Sequence, residues 1–230
     1  MEIKRIETMG RQTIDQLLSA IPFFKAVKQA DASQFDVLLQ YSRIITYLSG
    51  EVVLQRGDGD QCLYFLLKGR LAVFPGEGLR TEPVNYITPG EVFGDLARLT
   101  HRPRSATIVA DNAARTSMVF CADFSELDNL QSTYPISLQT KLLYYRNTVH
   151  NLRWKLEVYR SQHPTDALAN RHRAIKLFMG PKDTPEELQS LHHQARELAS
   201  LLVAWNDRFG SLGADGQNSE DSELMSAIDR

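Results

Sequence analysis

No apolar run in this sequence approaches the roughly 20 residues that a helix needs to cross a bilayer, so no membrane-spanning segment is expected. The first residues, MEIKRIETMGRQTIDQLL, contain no apolar h-region and no small-residue cleavage site, so they do not read as a secretory signal, and a cytoplasmic location is the default expectation. Charge of either sign is not in excess: 26 basic side chains stand against 28 acidic ones, a net charge of −2, which argues against a dedicated nucleic-acid binder. Cysteine is scarce. Cys62 and Cys121 lie far apart in sequence in apolar contexts (QCLYFLL and MVFCADF) and read as buried free thiols, small hydrophobes without assigned chemistry.

Catalytic and metal signatures are missing as well. There is no nucleophile elbow, no Walker lysine motif and no carboxylate pair, so an enzyme is not expected. The six histidines show no metal-ligand spacing, and the neighbours His192 and His193 face different sides of a helix. Asp58-Gly59-Asp60 begins like a calcium loop, but the twelfth position is Gly69 where such a loop needs Glu. No metal is expected. The 43% of hydrophobic residues and 23% of charged ones belong to an ordinary globular chain.

What is present falls into five parts. Residues 1–40 read as N-terminal helices, with an apolar stripe through Ile3, Ile6, Ile14, Leu17, Leu18 and Ile21 and a second short helix opened by Asp31. Residues 41–130 hold short β-branched and aromatic runs (RIITYL, EVVLQ, CLYFLL, RLAVF, PVNYI, ATIVA, TSMVF). They are cut by turns at Gly50, Gly57-Asp58-Gly59-Asp60, Gly69, Gly76-Glu77-Gly78 and Pro89-Gly90. Strands at this spacing predict a compact antiparallel barrel or sandwich, and the chain as a whole is expected to be α+β.

Over residues 134–162 the pattern becomes a long helix. Leu138, Leu142, Tyr145, Val149, Leu152, Leu156 and Tyr159 alternate spacings of four and three, an a/d seam for a helix packed lengthwise on a partner. The expectation drawn from it is a homodimer through these seven residues. Residues 165–210 predict a helical hairpin: a shorter helix from Thr165 or Asp166 to Met179, then one from Thr184-Pro185-Glu186-Glu187 to Phe209. Thr184 at N-cap, Pro185 at N1 and Glu187 at N3 make that second start well defined. The polar, acidic residues 211–230 read as a disordered tail.

The chemistry lies in FGDLARLTHRPRSAT, residues 93–107. A Gly-acid-Leu-Ala turn that opens a helix presents N–H groups without intrahelical partners, and the helix dipole favours an anion there. Arg104 follows far enough on for the chain to turn back and aim a guanidinium at the same anion, and arginine suits bidentate phosphate contact. Ser105 adds a hydroxyl. The Asp95 carboxylate belongs beside something other than the phosphate, such as a sugar hydroxyl, and the combination points to a nucleotide.

These residues resemble the cyclic nucleotide-binding domain family, shared by the catabolite activator protein, the regulatory subunits of cAMP-dependent kinase and gated ion channels. The likeness runs from IPFF (21–24) through GEVVLQRGDGDQCLYFLLKGRLAVF (50–74) to PGEVFGDLARLTHRPRSATIVA (89–110), about half the chain. It implies a β-roll over residues 41–130 and a phosphate-binding cassette made of Phe93, Gly94, Asp95, Leu96, Ala97, Arg104, Ser105 and Ala106. Arg104 matches the arginine that pairs with the cyclic phosphate. Asp95 stands where the family usually has Glu, the acceptor for the ribose 2′-hydroxyl, and Arg98 replaces a usually apolar residue, placing a charge at the pocket or its lid. Base contacts are not assigned by motif, and Leu142, Tyr145 and Arg146 are candidates. Ser105, where cGMP-preferring members often have threonine, implies cAMP, with cGMP the alternative.

Three functions are compatible with this reading. The first is a non-catalytic regulator that binds a cyclic nucleotide and passes occupancy to a protein partner through its C-terminal helices. The second is a scaffold that keeps the fold without the ligand, suggested by Asp95 and Arg98. The third is a transcription regulator of the catabolite-activator type. Against it, residues 184–209 are too long and too leucine-striped for a recognition helix, and residues 163–210 carry equal numbers of basic and acidic side chains, so DNA is not expected.

Overall fold

Alternate residues of one apolar run, Leu63 to Lys68, face two different cores, and that doubling organises the molecule. The computed structural model describes residues 1–40, 42–75 and 83–228, with side chains described for all of these except Glu7 and 209–228. In chain order the elements are β1 (Glu2–Arg5), α1 (Arg11–Ser19), α2 (Pro22–Ala30), α3 (Ala32–Leu39), β2 (Ser42–Leu48), β3 (Val52–Leu54), β4 (Leu63–Lys68) and β5 (Leu71–Phe74). They continue with β6 (Asn85–Ile87), β7 (Val92–Phe93), α4 (Asp95–Thr100), β8 (Thr107–Ala110), β9 (Thr116–Ala122), α5 (Leu138–Gln162) and α6 (Pro185–Ile228). The turn at Gly76-Glu77-Gly78 lies outside the described residues.

The strands form two antiparallel sheets, ordered β1-β2-β9-β4-β7 and β3-β8-β5-β6. Because side chains alternate along a strand, Leu63 and Phe65 of β4 join Phe120 and Ala122 of β9 in a core shared with the helices. Tyr64, Leu66, Val119 and Cys121 point the other way, into the roll, against Leu54, Leu71 and Ile108. A sheet buried on both faces needs the unbroken apolar run that CLYFLL supplies. The expected β-roll is the fold.

The helical parts depart from expectation in four places. Residues 2–5 are not helical but form the edge strand β1, paired with β2. Four exposed residues bury nothing and are too few to nucleate a helix, whereas the edge of β2 offers them backbone partners. Asp31 does open α3, its carboxylate accepting from the Ser33 amide at 2.8 Å.

The second departure is the seam of α5. Leu142, Tyr145, Leu152, Leu156 and Tyr159 are almost wholly buried within the single chain, and Val149 nearly so, while Leu138 is half-buried. The covering partner is α6. Arg146 pairs with Glu187 (2.6 Å), Arg153 with Gln194 (3.3 Å) and the Tyr159 hydroxyl donates to Asn206 (3.3 Å), so the contacts advance together along both helices. The two helices therefore run parallel, and the seam assigned to a homodimer is filled from inside the chain. Val149→Lys, which on the dimer expectation would yield monomers, is expected instead to lower the melting temperature by putting an ammonium into this core, as read by circular dichroism.

Third, residues 165–179 are not a helix. They form turns and one 3-10 turn, Arg171–Ala174. Parallel packing of α6 on α5 requires this segment to travel back along α5, and α5 side chains supply its partners. Arg153 donates to the carbonyls of His172 (3.1 Å) and Ile175 (3.2 Å), and Glu157 accepts from Arg173 (3.0 Å) and meets the His172 ring at 2.8 Å. The hydrogen bond with His172 first, then those from Arg160 and Arg173, hold the Glu157 carboxyl well down, to about 2.

Fourth, the backbone of α6 runs past Gly210 to Ile228, where a disordered tail over 211–230 was expected. Glycine in a helix costs only about 1 kcal/mol relative to alanine and no proline follows Pro185, so nothing in the sequence forces a stop. Residues 229–230 lie outside the described residues. The start of α6 follows its sequence: the Thr184 hydroxyl accepts from the Glu187 amide at 3.2 Å.

Candidate functional site

The site is built where β7 hands over to α4. Gly94 makes the turn at φ +81, a left-handed conformation that glycine adopts without strain. A Cβ there would also lie 2.9 Å from Arg104 Nη1 and 3.0 Å from the Cys62 carbonyl. The glycine thus serves both the turn and the close approach of the arginine. α4 follows at once, and its first amides have no intrahelical acceptors.

All eight residues named from the sequence, Phe93, Gly94, Asp95, Leu96, Ala97, Arg104, Ser105 and Ala106, line one cavity. The roll adds Leu54, Val73, Asn85, Ile87 and Ile108, an apolar wall with one amide. α5 contributes Lys155 and Tyr159, and α6 contributes Leu202 and Asn206. Its volume is about 80 Å³.

Arg104 is buried and held rigidly. It donates from Nε and Nη2 to the two carboxylate oxygens of Asp60 (3.2 and 2.6 Å), from Nη1 to the Gly94 carbonyl (2.5 Å) and from Nη2 to the Cys62 carbonyl (2.9 Å). Its guanidinium also lies over the Tyr64 ring at 5.7 Å. Burial opposes the Asp60 charge, but the hydrogen bond and charge of Arg104 outweigh it and hold the Asp60 carboxyl below its ordinary range. Backbone bonds complete the mount, since the Arg104 amide donates to Asp58 and the Gly57 amide to Arg104, both at 2.9 Å. One Nη1 hydrogen is left for the cavity.

Asp95 is 1% exposed, and among the described residues its Oδ2 has no hydrogen-bond partner. A buried carboxylate oxygen without a donor is costly, and a hydroxyl entering the cavity would satisfy it. Ser105 presents its hydroxyl to α6, accepting from Asn206 Nδ2 at 2.9 Å.

Arg98 does not enter the cavity. It turns to the far side of α4, where its Nε donates to Asp128 (2.7 Å) and its guanidinium covers the Tyr144 ring (5.6 Å). The Tyr145 hydroxyl donates to the same carboxylate at 2.6 Å. Burial, with Asp128 next, pushes that phenol far above its ordinary value. The charge expected at the pocket or its lid is therefore a tie between α4 and α5.

The base-contact candidates are also elsewhere. Leu142 and Tyr145 are buried in the helical core, and Arg146 is engaged by Glu187 and Asp183. Lys155 and Asn206, which sequence reasoning did not select, line the cavity in their place, and so does Tyr159, which had been given to the dimer seam. The four-residue spacing of Lys155 and Tyr159 was the available signal. Asp60 was read only as part of a turn, and no local pattern links it to Arg104. Cys62, just before β4, and Cys121 on the neighbouring strand β9 are both free. Among the described residues no group of three or more metal-ligating side chains is assembled.

The sequence pattern of the cyclic nucleotide-binding domain matches residues 44–130. The chain is 30% identical over 101 residues to the cAMP-dependent protein kinase type II regulatory subunit of Drosophila melanogaster, covering 44% of this chain and 26% of that one. It is 29% identical over 109 residues to a cGMP-dependent protein kinase of Eimeria tenella, covering 47% of this chain and 10% of that one. It thus corresponds to a small part of each. A cyclic nucleotide-binding domain from Methylobacillus flagellatus shares the fold, with a TM-score of 0.53 at 16% identity over 66% of this chain and 85% of that one.

Proposed function

Because the chain belongs to the cyclic nucleotide-binding domain family by way of residues 44–130, we propose that its cavity takes a cyclic mononucleotide, cAMP in preference to cGMP. Occupancy then passes through α5 and α6 to a protein partner. The observation that carries this reading is the convergence of the eight cassette residues on one cavity, with an unpartnered Asp95 oxygen and a fixed Arg104 among its lining.

Each part of the ligand has a counterpart. The cyclic phosphate takes the amides at the start of α4 and the remaining Nη1 hydrogen of Arg104. A ribose hydroxyl donates to Asp95. The base lies toward the apolar wall and the residues of α5. The preference for cAMP rests on the small Ser105, as the family resemblance implies. The role is regulatory and non-catalytic, in the cytoplasm; no helix among the described residues is long and apolar enough to cross a membrane.

Transmission follows from the Arg98–Asp128–Tyr145 tie. A shift of α4 on its ligand moves Asp128 and with it the α5 contact, so ligand biases the arrangement a partner reads. A scaffold without ligand is favoured by one observation, the small cavity volume. A catabolite-activator type of regulator has less support, because a single 44-residue helix stands where a helix-turn-helix would be needed.

Calorimetric titration of nucleotide-stripped protein with cAMP and then cGMP tests the reading. Micromolar binding of cAMP, weaker for cGMP, is expected. No heat from either nucleotide, with protein shown to be folded and empty, would transfer the case to the scaffold.

A further inference from the structure

A small-molecule pocket commonly encloses roughly 300–1,000 Å³. The cavity between cassette and roll encloses about 80 Å³, and α6 forms part of its wall. Leu202 and Asn206 stand one turn apart on that helix, and both form its wall. A lid that closes over a bound nucleotide would leave the nucleotide's volume beneath it. α6 does not.

The polar contacts agree with the volume. Asn206 is 4% exposed; its Nδ2 donates to the Ser105 hydroxyl at 2.9 Å, and its Oδ1 accepts from the Tyr159 hydroxyl at 3.3 Å. The next residue, Asp207, reaches the roll: Arg56 Nη2 meets it at 3.3 Å. Arg56 is itself anchored beside the cassette, since its Nη1 donates to the Ser105 carbonyl at 3.0 Å. One turn of α6 therefore grips Ser105 on both its hydroxyl and, through Arg56, its backbone.

We propose that the Leu202–Asn206 turn of α6 is a built-in occupant of the cavity, which a cyclic nucleotide must displace to bind. This rests on the nucleotide reading above and adds the direction of the change: ligand drives α6 off the roll. Affinity is then reduced by the fraction of molecules in which α6 is docked. The displaced turn uncovers Leu202 and the Trp205 face that packs on Tyr159, so the output is an exposed helix surface.

The test is calorimetric titration with cAMP of the parent and of the double variant Asn206→Ala/Asp207→Ala, with circular dichroism to show that both are folded. Undocking should tighten binding about fivefold, as the loss of the Ser105 hydrogen bond and the Arg56 ion pair that tie α6 to the cassette and roll would give. Binding by the variant alone would equally support the proposal. If the parent binds and the variant binds as tightly or more weakly, Asn206 is a ligand contact or a bystander, and the occupant idea falls while the nucleotide reading stands. If neither binds, both fall. Hydrogen exchange of the α6 amides over residues 198–208 in the parent gives a second sign: faster exchange with cAMP is expected, and slower exchange means a closing lid and overturns the proposal.

Discussion

Arg104→Lys is expected to weaken cAMP binding at least about tenfold while the roll stays folded. Lysine keeps the charge and can still reach Asp60, but an ammonium cannot reproduce the fork that serves Asp60, Gly94 and Cys62 together and leaves one hydrogen for the cavity. Loss of a charge-assisted hydrogen bond worth roughly 1.5–3 kcal/mol corresponds to tenfold or more. Titration calorimetry reads the affinity and a thermal melt reads the fold. Equal affinity in the variant would show that Arg104 does not touch the ligand.

Alanine is the poorer probe at this position. The buried guanidinium satisfies two carbonyls and a carboxylate. Removing it leaves the Gly94 and Cys62 carbonyls without their donor and is expected to cost about 2 kcal/mol of stability. The Asp60 carboxyl is held below its ordinary value of about 4. Its contribution is therefore complete above that pH and is lost as the pH falls through the lower folded value. Between pH 5 and 8 the lysine effect should not change.

Trp205→Ala should produce the largest loss of stability. The indole is 1% exposed and stacks on Tyr159 with ring centroids 5.6 Å apart, at the end of the α5–α6 contact nearest the cavity. Truncating a buried tryptophan costs about 3–5 kcal/mol. In a chain of this size each kcal/mol moves the midpoint by about 2–4 °C, so a fall on the order of 10 °C is expected by circular dichroism. A shift below about 2 °C would mean that α6 contributes little to the folded core.

The roll was legible because its signals are local. Glycines at turns, β-branched runs and the Gly-acid-Leu-Ala turn each act within a few residues, and the eight cassette positions that the family resemblance implied converge on one cavity. Arg104 was found by type and spacing, but its mount was not, because Asp60 sits 44 residues earlier. Arg98 shows the same limit: its identity was plain and its direction was not, since Asp128 decides which side of α4 it takes.

The heptad seam marks the boundary between what sequence and tertiary structure each determined. Spacings of three and four along α5 required an apolar face packed lengthwise on another helix, and the sequence by itself established that much. Periodicity records the shape of a face and not the chain of its partner. Only the tertiary structure decided that α6 of the same molecule returns parallel to α5 and covers it. A partner tethered by the connecting segment 163–184 meets the seam without the loss of translational freedom that association of two molecules entails. The same docking brings Asn206 to Ser105, which no pattern in either helix foretold.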